Sequence, residues 1–153
     1  MSETEANSKF YNGTYAHGID DKRRVQVPSK WRPQAEDFQF TVIVWPKAKE
    51  GPCLRVLPPK KMASLMADID AMPNGDPNKT TLKRVIGGSS EQCTLDKAGR
   101  ICLPDQMAKA AGLDGQAVIV GLLDQFEIWN PARYETVTAS DSVLVSEAFR
   151  LME

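Results

Sequence analysis

The sequence predicts an α+β chain, mainly β, made of two tandem copies of one small β module with short helices, packed as a pseudo-twofold pair. Three observations predict it. The chain nearly repeats itself at an offset of 76 residues, short runs alternate apolar with polar residues, and prolines open the few stretches with helical spacing.

The repeat is clearest around two turns. Ile19-Asp20-Asp21-Lys22-Arg23-Arg24-Val25-Gln26-Val27-Pro28 aligns with Leu95-Asp96-Lys97-Ala98-Gly99-Arg100-Ile101-Cys102-Leu103-Pro104. Both follow the pattern apolar-Asp-x-x-x-Arg-apolar-x-apolar-Pro. Val42-Ile43-Val44 answers Val118-Ile119-Val120 at the same offset, and Leu54-Arg55-Val56-Leu57 answers Phe126-Glu127-Ile128-Trp129 at 72. A difference in loop length accounts for the slip.

In order along the chain, residues 1–11 form an N-terminal extension, 12–60 a first module, 61–88 a helical linker, 89–133 a second module and 134–153 a tail. Within each module, Val25 and Val27, like Ile101 and Leu103, alternate with Gln26 and Cys102, the period of a half-buried strand. Asp-x-x-x-Arg therefore joins two strands. Pro104 opens a helix with Met107, Ala110 and Ala111 on one face and Gly112 at its end, whereas Pro33 cuts short the equivalent helix after Pro28. In the linker Met62, Leu65, Met66 and Ile69 make an amphipathic helix that Met72-Pro73-Asn74-Gly75-Asp76-Pro77 ends. A second one around Leu82, Val85 and Ile86 runs into Gly87-Gly88. Asn130-Pro131 reads as an N-cap and first helical position. The last ten residues suit either a helix, through Leu144, Ala148 and Leu151, or a strand, through Val143 to Val145.

A composition of 42% apolar and 25% charged residues is that of a globular protein, and no run approaches the ~18 apolar residues of a membrane span. The acidic start Met1-Ser2-Glu3-Thr4-Glu5 does not resemble a signal peptide, so the cytoplasm is expected. Cys53, Cys93 and Cys102 form no Cys-x-x-Cys pair, which predicts reduced thiols, no zinc site and no metal or other cofactor. A net charge of −1 counts against nucleic acid. Its distribution is uneven, however: Lys22, Arg23, Arg24, Lys30 and Arg32 face only Asp20 and Asp21 in one stretch, and from Asp124 to Glu153 six carboxylates face Arg133 and Arg150.

One copy, at about 45 residues, is near the size below which a domain rarely folds alone, so each copy is expected to complete the other. A twofold display of basic turns suits a pseudo-symmetric DNA site.

Gly13-Thr14, the segment Ile19 to Arg32, Leu95-Asp96-Lys97-Ala98-Gly99-Arg100, Val118-Ile119-Val120-Gly121 and Phe126-Glu127-Ile128-Trp129 together resemble the MraZ family over about residues 10 to 135. The resemblance implies two SpoVT/AbrB-like swapped-hairpin modules per chain, a ring-shaped homo-oligomer and a nucleoid location. It also implies a transcriptional regulator, mainly a repressor, that binds double-stranded promoter repeats before a division and cell-wall gene cluster including its own gene. Carried over by position, Arg24 and Arg100 match the DNA-contacting arginine of the family turn and Lys22 its first-turn lysine, with Arg23 and Lys97 beside them. Asp20 and Asp96 would support the turns, because a carboxylate facing phosphate is repelled. Three departures stand out: Arg23 replaces the usual glycine, about nine residues precede the usual start near Tyr11, and Pro33 interrupts the first helix.

Two other function classes compete. A small enzyme could use His17 with Asp20 and Asp21, but a single His without a second ligand at metal spacing is usually structural, and no phosphate loop or nucleophile elbow is present. No small-molecule substrate is therefore expected. A ring-forming protein-interaction scaffold without DNA binding is the other. Trp31, Trp45 and Trp129 follow apolar strand patterns and read as core or interface anchors rather than base-stacking platforms.

Overall fold

Both copies fold into the same order of elements in the computed structural model, which describes residues 10–46 and 49–153. The first copy runs β1 (Thr14–Gly18), β2 (Arg24–Gln26), one 3-10 turn (Ser29–Trp31), β3 (Phe40–Trp45), β4 (Cys53–Leu57) and helix α1 (Pro59–Asp70). After helix α2 (Pro77–Ser89) the second runs β5 (Glu91–Cys93), β6 (Arg100–Cys102), α3 (Asp105–Ala110), β7 (Gln116–Gly121), β8 (Phe126–Trp129) and α4 (Pro131–Arg150).

The strands do not stay within their own copy. A six-stranded antiparallel sheet has the order β1-β7-β8-β4-β3-β5, and β2 pairs with β6 in a separate ribbon. The first strand of each copy thus lies on the third strand of the other. Two registers locate the pseudo-twofold axis. Val25 faces Ile101 across the ribbon and Arg55 faces Glu127 across β4–β8, and each pair joins equivalent residues of the two copies.

Side chains alternate across the six-stranded sheet and separate two apolar layers. Phe40, Val42, Leu54, Val56, Ile119, Phe126 and Ile128 face the ribbon, where they meet Val25, Ile101, Leu103 and the fully buried Trp31. On the opposite face, Ile43 and Leu57 pack under α1 and α2, and Cys53 and Trp129 pack under α4. The ribbon is thereby clamped to the sheet by its inward residues, leaving Arg24, Gln26, Arg100 and Cys102 on the outer side.

Local chemistry sets the helix lengths. Pro33 keeps Arg32 in extended conformation (φ −72°, ψ 133°), so the first short helix stops after one 3-10 turn, whereas α3 continues until Gly112 takes φ +66°. Asp76 and Asn130 cap α2 and α4 by accepting hydrogen bonds from the backbone N–H groups of Asn78 and Arg133. Helix α2 does not stop at Gly87-Gly88 but passes through both, since Ile86 is buried against α1 and its carbonyl accepts from the Ser90 N–H. The last segment, open between helix and strand, is helical to Arg150, as no glycine or proline follows Pro131.

Of the N-terminal extension expected over 1–11, residues 1–9 lie outside the described residues. Tyr11 is buried in the core and exchanges two backbone hydrogen bonds with Leu123 (2.9 and 2.8 Å). Gly121 permits that approach, because a Cβ there would lie 2.3 Å from the Tyr11 carbonyl oxygen.

On the axis, Arg55 Nε donates to Glu127 Oε2 (3.0 Å), Trp129 Nε1 donates to Glu127 Oε1 (2.8 Å), and the Arg55 guanidinium lies 4.2 Å from the Trp45 ring centroid. Glu127→Ala should leave a buried indole N–H and a partly buried guanidinium unpaired, and is expected to cost about 2–4 kcal/mol in urea unfolding.

Candidate nucleic-acid interface

The two Asp-x-x-x-Arg turns close in the same way. In the first, Asp20 Oδ1 accepts from the backbone N–H groups of Lys22 (3.0 Å) and Arg24 (2.8 Å), while Oδ2 accepts from Arg24 Nε (2.6 Å). In the second, Asp96 Oδ1 accepts from Ala98 (3.0 Å) and Arg100 (2.9 Å), and Oδ2 from Arg100 Nε (2.9 Å). One carboxylate therefore shapes the loop with one oxygen and orients the arginine with the other. The backbone N–H of Arg24 and of Arg100 holds each carboxyl below the usual carboxylate range, with the arginine side chain adding to the effect.

The antiparallel ribbon brings the two turns together across the axis. Arg100 Nη1 lies 3.8 Å from Asp20 Oδ2, which joins both Asp–Arg pairs into one cluster. Each turn is also held by the other copy: Gln26 Nε2 donates to the Ala98 carbonyl (2.8 Å) and Cys102 Sγ to the Lys22 carbonyl (3.5 Å), from equivalent positions. Arg24 and Arg100 are about one-third exposed, each with Nε committed to its own aspartate and Arg100 with Nη1 also toward Asp20. Lys22 and Lys97 are exposed at the turn tips. A planar fork held in place can take a phosphate, or the two major-groove acceptors of guanine, without ordering a free side chain.

Arg23 adopts the left-handed conformation (φ 61°), as Gly99 does (φ 79°). Its guanidinium donates from Nε to the Leu103 carbonyl (3.0 Å), with Nη1 3.9 Å from Asp105. On the other side of the axis the equivalent carbonyl, that of Val27, accepts from Arg32 Nε (3.0 Å). Arg32 lies over Gly99, so close that a Cβ there would be 2.2 Å from its Nε. The position equivalent to Arg32 is Ala108. Arg32 over Gly99 on one side thus corresponds by position to Ala108 and Arg23 on the other, and both strand-end carbonyls receive a guanidinium. This compensation was missed in the sequence, where its signal is the Arg32/Ala108 difference at the 76-residue offset.

Other candidates disperse. His17 lies in β1 with its ring 6.3 Å from that of Tyr15, and the Asp20 carboxylate is occupied by its own turn. Trp31 and Trp129 are fully buried. Among the described residues no group of His, Cys, Asp and Glu is placed to hold a metal ion, and no helix is long and apolar enough to cross a membrane.

Residues 87–149 match the sequence profile of the MraZ protein family, described as antitoxin-like. The chain is 30% identical over 139 residues to the transcriptional regulator MraZ of Actinobacillus pleuropneumoniae serotype 3, covering 91% of each. The chain belongs to the MraZ family. MraZ proteins of Acidithiobacillus ferrooxidans (33% over 130 residues, 82% of this chain and 86% of that protein) and Histophilus somni (28% over 150 residues, 94% and 99%) are similar across both copies.

Two outcomes test the turns. Gly99→Ala places a Cβ at positive φ against Arg32 and should lower stability by about 2 kcal/mol or more, while Arg23→Gly relieves strain but loses the bond to Leu103 and should stay within about 1 kcal/mol, both read by chemical denaturation. Because both aspartates are depressed in the folded state, their stabilisation is complete above the unfolded carboxyl value of about 4 and is lost only as pH falls through the lower folded values. The Arg24 and Arg100 amide resonances should therefore hold their positions to below pH 4, and Asp20→Asn with Asp96→Asn should abolish the acid transition.

Proposed function

We propose that the chain is a sequence-specific DNA-binding transcriptional regulator that meets double-stranded DNA with the outer side of the β2–β6 ribbon. The observation that carries this reading is the pair of Asp-clamped arginines, Arg24 and Arg100, exposed together on the pseudo-twofold axis with Lys22 and Lys97 beside them. The relatives' name, transcriptional regulator, supports it.

Arg24 and Arg100 read bases or fix the register on phosphate, Lys22 and Lys97 contact the backbone, and Asp20 and Asp96 keep the arginines in place. Arg23 contributes less to phosphate binding, because its guanidinium is shared with Leu103 and Asp105. In finer detail, the two copies form a swapped-hairpin unit of the SpoVT/AbrB type, a reading supported by the crossing of β1 onto β7 and β5 onto β3. Several chains assemble into a closed ring that engages repeated promoter sites of a division and cell-wall gene cluster, the chain's own gene among them, as a cytoplasmic, nucleoid-associated repressor.

Fluorescence anisotropy with a duplex from upstream of the chain's own gene, repeated over a salt series, tests the reading. Arg24→Ala and Arg100→Ala should each cost about 1–3 kcal/mol and relax sequence preference. Lys22→Ala and Lys97→Ala should each reduce the salt slope by about one unit while leaving preference intact. Binding indifferent to all four substitutions would overturn it.

A further inference from the structure

Four side chains leave the outer side of the β2–β6 ribbon, and only two of them are the clamped arginines. Arg24 stands opposite Cys102, and Gln26 opposite Arg100. The ladder hydrogen bonds fall on neighbouring pairs, with the Leu103 N–H donating to the Arg23 carbonyl and the Val27 N–H to that of Gly99. The outward residues therefore form non-hydrogen-bonded pairs, the kind whose side chains lie closer together. The arginines occupy one diagonal of this quartet, Gln26 and Cys102 the other.

The second diagonal joins equivalent positions of the two copies with unlike chemistry. Gln26 Nε2 donates to the Ala98 carbonyl (2.8 Å) and Cys102 Sγ to the Lys22 carbonyl (3.5 Å). The thiol commits its single hydrogen there and leaves only a weak sulfur acceptor. The amide commits one of two. Gln26, half-buried, keeps one N–H and, among the described residues, an Oε1 with no partner. Since the Ala98 carbonyl must face the nitrogen, donor and acceptor are presented in one fixed order, and little side-chain freedom remains to be lost on binding. A donor beside an acceptor matches N7 and the N6 amino group of adenine in the major groove, and mismatches guanine, whose N7 and O6 both accept. The arginine forks carry donors only and cannot make that distinction. At the tips the copies also differ, with Asp21 and Lys22 answering Lys97 and Ala98, but charge there bears on phosphate rather than on base identity.

We infer that Gln26 is a specificity-determining residue that reads one adenine, and that Cys102 leaves the equivalent position of the DNA unread. The two halves of the bound site then differ although the two arginines are equivalent. The inference rests on the proposed DNA-binding ribbon and adds one base to what it reads.

Selection from randomised duplexes by the full chain, followed by sequencing, tests it. The unaltered chain should select a site with this adenine in one half only. Gln26→Ala should make that position degenerate and leave the rest of the site unchanged. Cys102→Gln should add a second adenine in the inverted half, so that the site approaches its own reverse complement. Replacing the selected adenine by 7-deazaadenine removes the N7 acceptor alone, and should weaken binding by about five-fold or more for the unaltered chain but not for Gln26→Ala, read by anisotropy. Gln26→Met, of similar length without the amide, takes the place of Gln26→Ala should circular dichroism show that variant unfolded. An adenine preference that survives loss of the amide overturns the inference while DNA binding by the ribbon stands, as does a uniform loss of affinity on every duplex. A symmetric site for the unaltered chain, or a Cys102→Gln site with no second adenine, does the same. An unaltered chain that binds no duplex overturns both.

Discussion

Antiparallel pairing between the two copies is the constraint on which everything else in this molecule depends. Neither copy closes its own sheet: β1 finds its partner in β7, β5 in β3, and the short central strands β2 and β6 pair with each other across the copies. A three-residue strand has too few ladder bonds to persist alone. The ribbon holds because Val25 and Ile101 are fully buried against the large sheet, with Val27 and Leu103 buried beside them. The position of Arg24 and Arg100 on its outer side is a by-product of that burial, since alternation in a strand sends neighbours to opposite faces.

Duplication within one chain also frees the axis from exact symmetry. In an assembly of identical halves, each axial residue must face its own kind. Here Arg55 faces Glu127, and the Asp–Arg turns differ at Arg23 and Gly99 with matching changes at Ala108 and Arg32. The second exchange accounts for an arginine at a left-handed position. A conformation that costs a non-glycine residue about 1–2 kcal/mol is retained because the same residue supplies the guanidinium that the Leu103 carbonyl would otherwise lack.

How much of this was legible in the sequence follows from what periodicity encodes. The offset of 76 exposed the duplication, the alternation around Val25 and Ile101 exposed the strands, and Pro33 foretold the short first helix, all of them local signals. Periodicity did not show strand exchange, which only the family resemblance implied, because alternation tells which face of a strand is buried and not which strand lies beside it. The passage of α2 through Gly87-Gly88 was hidden for a related reason: glycine pairs usually end helices, and only burial of Ile86 against α1 overrides that preference. At the turns, the aspartate four residues before each arginine was visible. The approach of Arg100 to Asp20 was not, as it arises from an antiparallel register between residues 80 positions apart.

The axial Arg55–Glu127 pair bears on how such a chain could be divided. Two first halves brought together would set Arg55 against Arg55, and two second halves would oppose Glu127 to Glu127, each with like charges at close range in a partly desolvated site. Only the mixed pair places opposite charges there and satisfies the Trp129 indole as well. Severed into its halves, the molecule retains an instruction for reunion with the complementary fragment and against self-association, written in one pair of side chains on its own axis.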